Sequence, residues 1–145
     1  MSTPTPTGPT PTPPGGELLP LISLAVEHVF DTLGRQSVFA PTILAVAADG
    51  QRGMWEHPDL EPAQAAATVA KISPRPTRAV AVFDGEIETA DGPRPAVAVE
   101  AFDAAALAST RMVFPYLPGV AAAGLAARVD GDPQVVANGP NPLFG

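Results

Sequence analysis

Apolar and polar positions follow their clearest pattern between residues 78 and 103. Arg78-Ala-Val-Ala-Val-Phe-Asp-Gly and Ala96-Val-Ala-Val-Glu-Ala-Phe-Asp flank the tetrad Ala90-Asp91-Gly92-Pro93. This predicts two antiparallel strands joined by a tight turn, with Gly92 at a positive φ. Parity then decides the faces. A two-residue turn that pairs Ala90 with Pro93 sets Phe83 opposite Glu100 and Glu86 opposite Val97; a three-residue loop makes paired numbers sum to an even value and exchanges the faces. The even register gathers Phe83, Ile87, Val97, Val99 and Ala101 on one side and Asp84, Glu86, Glu88 and Glu100 on the other. A sheet with one solvated face separates apolar from acidic in this way, so the even register is the expected one.

Before this hairpin the period is helical. Leu18, Ile22, Ala25, Val26, Val29 and Leu33 form one stripe over 17–33, widened by Leu21, Leu24 and Phe30, with Ser23, Glu27 and Asp31 opposite. Pro20 fits the first turn and Gly34 the end. A helix so broadly apolar packs between sheet and partner, or forms part of a dimer. Residues 38–48 predict a strand, Asp49-Gly50 a turn and 51–55 a short return strand. A second helix opens at Pro58-Asp59-Leu60-Glu61-Pro62 with Asp59 as its cap, buries Ala65, Ala66, Val69 and Ile72, and ends at Ser73-Pro74-Arg75-Pro76. After the hairpin come a turn over 103–108, a strand over 109–116 and a connector over 117–123. A closing hairpin follows, of 125–129 and 134–137 about Asp130-Gly-Asp-Pro133.

The two ends differ from this body. Residues 1–16 are Thr-Pro repeats closed by two glycines, which predicts a disordered tail of polyproline II character. Residues 139–145 are rich in Pro and Gly, and Leu143 with Phe144 is expected to strap the sheet edge or the open end of the core. One α+β domain over 17–138 remains, of a common domain size. Its architecture is expected to be a two-layer sandwich, an antiparallel sheet with two helices on one face, in the order α-ββ-α-βββ with a last β-pair. That order resembles the roadblock and profilin-like modules, a likeness of topology that implies a binding role.

Charge and composition narrow the function. The net charge is −7 with only eight Lys and Arg, which argues against a nucleic acid partner and against an anionic membrane surface. There is no cysteine, hence no disulfide and no thiolate chemistry. The start lacks a secretory pattern and no long uncharged apolar run occurs, so a soluble cytoplasmic protein is expected.

Candidate chemistry is sparse. Asp84, Glu86 and Glu88 point the same way on a strand, and with Glu100 they form the one set that could hold a divalent cation, Mg²⁺ or Ca²⁺. The plainer reading is a solvated strand face. His28 and His57 are the only imidazoles and lie on separate elements. His57-Pro58-Asp59 spells the J-domain tripeptide, but it follows a strand and sits among acidic residues. No G-x-S-x-G elbow or phosphate-binding glycine motif occurs, and Asp130-Gly-Asp-Pro133 reads as a turn. No catalytic residue is identified and no resident cofactor is expected. The leading expectation is a small non-enzymatic interaction module whose partner is another protein or a second copy of itself, with Trp55, Leu21, Leu24 and Phe30 as contact residues. Trp55 itself is expected to be buried. The alternatives are a metal-dependent hydrolase using the acidic strand face and a small-molecule binder with a pocket between the first helix and the sheet, lined by Phe30, Phe39 and Phe83.

Overall fold

The computed structural model describes residues 13–34, 39–119 and 127–144. The Thr/Pro-rich stretch through residue 12, the expected strand start at Val38, positions 120–123 of the expected connector and the first two positions of the expected closing hairpin lie outside them.

Helix α1 (Leu19–Leu33) follows its sequence pattern: Pro20 sits in the first turn, and Leu21, Ile22, Ala25, Val26 and Val29 are buried. No side chain caps its start. The chain enters through a turn instead, with the Leu18 N–H on the Gly15 carbonyl at 3.0 Å. Strands β1 (Thr42–Ala47) and β2 (Arg52–Glu56) form a hairpin. In its turn Asp49 Oδ1 accepts the Gln51 N–H at 2.9 Å, and Gly50 has φ +87.

The second helix is shorter than expected. A 3₁₀ turn, Pro62–Gln64, runs into α2 (Ala65–Ala70), and the cap is Glu61, not Asp59. Glu61 and Gln64 bond reciprocally, the Gln64 side chain accepting the Glu61 N–H at 3.2 Å. With Pro62 fixed at the first helical position, the residue just before it becomes the cap.

Strands β3 (Pro76–Thr89), β4 (Gly92–Asp103) and β5 (Ser109–Leu117) follow, then β6 (Arg128–Val129) and β7 (Gln134–Gly139). The described residues build one antiparallel sheet in the order β2-β1-β3-β4-β5. β6 and β7 do not pair with each other as a closing hairpin. Both lie along the outer edge of β5, β7 against Ser109 to Val113 and β6 against Tyr116 and Leu117. Among the described residues no helix is long and apolar enough to cross a membrane.

The β3–β4 register is odd, contrary to expectation: Thr89 pairs with Gly92, Phe83 with Ala98 and Glu86 with Pro95. The loop is Ala90-Asp91, closed by the Thr89 hydroxyl, which donates to the Gly92 carbonyl at 2.7 Å and accepts the Asp91 N–H at 3.2 Å. Gly92 takes φ +103. Val80, Val82, Val97, Val99 and Ala101 therefore share one face, while Ala79, Ala81, Phe83, Ala98, Glu100 and Phe102 share the other.

Each face has its own core. α1 packs against Val80, Val82, Val97, Val99 and Met112. On the reverse, Ala65 and Val69 of α2 join Ile43, Ala79, Ala81, Phe83, Phe102 and Leu143. The helices thus lie on opposite faces and not together on one. This explains the register. Residues 79–83 are buried without a break, as expected where both faces are covered, so the acidic-versus-apolar criterion does not apply to them. Alternation survives only toward the turn, over 84–89.

The C-terminal segment closes the second core. Leu143 is 1% exposed and Phe144 49%. Arg75 Nη2 donates to the carbonyls of Pro142 (3.1 Å) and Leu143 (2.9 Å). Asn141 Nδ2 donates to those of Asp103 (2.9 Å) and Ala106 (2.6 Å). Leu143 alone acts as the strap.

Candidate functional site

α1 lies mainly on β3 and β4, so its outer side and the β1–β2 hairpin enclose a groove of ≈ 680 Å³. Leu21, Leu24 and Leu44 form its apolar walls with Met54. Glu27, His28 and Asp31 from α1 and Arg52 from β2 also line it. Arg52, Met54 and Glu56 pair with Val46, Leu44 and Thr42, which places all three on the α1 side of the sheet.

β2 forms one edge of the sheet, and β6 and β7 form the other. The Ala47 N–H bonds the Gln51 carbonyl at 2.9 Å and the His57 N–H bonds the Pro41 carbonyl at 2.7 Å. In an antiparallel ladder these bonds recur at every second residue, so positions 51, 53, 55 and 57 face β1. The backbone groups of Arg52, Met54 and Glu56 consequently point outward from the sheet. Among the described residues neither Arg52 nor Glu56 forms an ion pair.

Trp55 is 41% exposed, not buried. It lies on the other face, folded back over Gly53, where a Cβ would collide with its ring. With Ile72, Pro74 and Pro76 it lines a smaller pocket of ≈ 120 Å³. Sequence reasoning missed Met54 and Arg52. Nothing in the local pattern of 51–56 marks this strand as an edge, since that depends on β3 lying beyond β1.

Of the other expected contact residues, Leu24 is 39% exposed, Leu21 is buried at the groove floor, and Phe30 packs edge-on against Tyr116 at 5.7 Å. Phe39 belongs to the α1 core and Phe83 to the opposite one, so neither lines the groove.

The four carboxylates do not converge. Asp84, Glu86 and Glu88 are exposed on the α1 side of the sheet. Glu100 is buried on the other side, accepting the Ser109 hydroxyl at 2.7 Å and Arg111 Nε at 2.8 Å. Among the described residues no three His, Cys, Asp or Glu stand close enough to share a metal ion.

Asp84 Oδ1 instead accepts the Tyr116 hydroxyl at 3.3 Å. Burial, the Asp84 charge and this hydrogen bond together push the Tyr116 phenol above its ordinary value. The unfolded phenol ionises near ~10 and the folded one later, so across that window the native state holds the extra proton. Stability is therefore fully present below pH ~10 and declines as pH rises through the folded value. Tyr116 is the sole tyrosine, so ultraviolet titration of the phenolate follows it alone. A midpoint above ~10 is expected, and Tyr116→Phe is expected to remove that part of the alkaline destabilisation. A native midpoint at the unfolded value would refute the assignment.

No family model, no curated protein and no solved structure matches the chain.

Proposed function

We propose that this protein is a small non-enzymatic interaction module, and that its docking surface is the β2 border with the groove beside α1. One observation carries the reading: an edge strand with outward-facing backbone groups is flanked by exposed Leu24, Met54 and Trp55. Such an edge can accept an extended segment of another polypeptide by strand addition, with the adjoining groove receiving alternate side chains. The net charge of −7 favours a protein partner over nucleic acid.

The test is a photo-crosslinking amino acid placed at position 54 of the full chain in cells, with Val136 as the control on exposed β7. Polypeptide adducts are expected from 54 and not from 136. Equal yields at both, or none at 54, would defeat the reading.

A second reading rests on the groove's volume, ≈ 680 Å³, which lies within the range of small-molecule sites. Its apolar and charged lining suits an amphipathic ligand. Under this reading position 54 gives no polypeptide adduct and a small molecule co-purifies with the protein.

A further inference from the structure

The β2 sequence is complementary to itself. Placed antiparallel to a second copy about a two-fold axis at Met54, Arg52 falls opposite Glu56 of the other chain and Glu56 opposite its Arg52. We infer that the occupant of the β2 edge is a second copy of this chain, paired in that register. This rests on the docking surface proposed above and names its partner.

Three independent features agree on the register. The first is hydrogen bonding. Residues 52, 54 and 56 carry the outward backbone groups, as follows from the Ala47–Gln51 and His57–Pro41 bonds. In the two-fold arrangement these same residues oppose one another, so each opposed pair exchanges both of its N–H···O bonds. A shift by one residue would set an outward residue against an inward one and lose the ladder.

The second is charge. Arg52, Met54 and Glu56 lie on one face of β2, so each cross-chain Arg–Glu pair forms on the same side as the Met54 contact and brackets it. Neither residue has an ion-pair partner among the described residues of its own chain. The net charge of −7 per chain opposes association in general. The local pairs are what make this edge, and this register, the place where two copies meet.

The third is apolar cover. Met54 is 51% exposed and Leu24 39% on the groove side, and Trp55 is 41% exposed on the reverse. Joining the edges brings the two Met54 side chains together between the two grooves. On the reverse each Trp55 stands opposite the other chain's Gly53, beside the ring that chain folds over its own glycine. The interface is isologous, as a two-fold axis demands, and it closes after two copies. Two five-residue edges make a small contact beside the ~1,000 Å² of a stable interface. The dimer therefore depends strongly on concentration.

Charge reversal tests this. The full chain is followed by light scattering and sedimentation across about a hundredfold range of concentration, because mass action sets the dimer population. The wild type is expected to move from the monomer mass to twice that mass. R52E places Glu against Glu56 twice, and E56R places Arg against Arg52 twice; each is expected to lose self-association. Mixed one to one, the two variants are expected to recover it, since every opposed pair is then of opposite sign. The double variant R52E/E56R is expected to dimerise like the wild type. Misfolding could not produce that rescue, and circular dichroism checks that the single variants fold.

A wild type that stays monomeric, or a dimer indifferent to either reversal, would overturn the inference. So would single variants that fail to complement. If adducts at position 54 then come from a different polypeptide, the interaction reading stands and only the self-pairing falls. If there are no adducts and no dimer, both fall.

Discussion

Leu143→Ala is expected to destabilise the protein by about 2–4 kcal/mol, the usual cost of emptying a fully buried leucine site. Leu143 is 1% exposed and packs among Phe83, Phe102 and the α2 side chains. Arg75 and Asn141 hold the backbone around it, so the segment cannot simply collapse into the space. Phe144→Ala, one residue on and half exposed, is expected to change stability by no more than ~0.5 kcal/mol. Urea unfolding midpoints of the two variants measure the contrast. Equal losses would show that the C-terminal segment does not belong to the core.

Arg111→Met is expected to cost about 1–3 kcal/mol, because it leaves the Glu100 carboxylate buried with Ser109 as its remaining partner. The full penalty for orphaning a buried charge is ~3–5 kcal/mol, and it is reduced here because the Arg111 side chain is 41% exposed and water reaches the site. Replacing both residues with methionine is expected to recover most of the loss, since removing a buried pair together is often close to neutral. The same urea measurement decides it. A double variant as unstable as Arg111→Met alone would assign Glu100 some further partner.

Where one element decides its own structure, the sequence was readable. The stripe of α1, Pro20 in its first turn and Gly92 at positive φ follow from local sterics, and so do the mixed α+β character and the antiparallel sheet. What could not be read depended on elements far apart in the chain. The alternation of Asp84, Glu86 and Glu88 was real, but Glu100 does not extend it. Covering both faces buries 79–83 and 96–103 almost without interruption, and inside such a run parity carries no signal. That one error of register put Glu100 beside Asp84 and created a cation set that the sheet keeps apart.

The candidate site was half legible for a related reason. Leu24 lies on the widened flank of the α1 stripe, and that excess width was a visible sign of something beyond the core. Met54 and Arg52 gave no comparable sign. Whether a five-residue strand is an edge depends on β3 lying on the other side of β1, which no local pattern announces. Trp55 misled for the same reason. A lone tryptophan is normally well buried, but here it rests on the glycine two residues before it, at the open border of the sheet.

The placement of α1 also governs how the chain can be made. Translation delivers this helix before the wall it covers, which draws on β1, β3, β4 and β5 and is completed only by Ala127. At ~5–20 residues per second the ribosome needs several seconds to supply that wall. Throughout that interval the greasy side of α1 is covered only in part, by the β1 side chains that emerge soon after it.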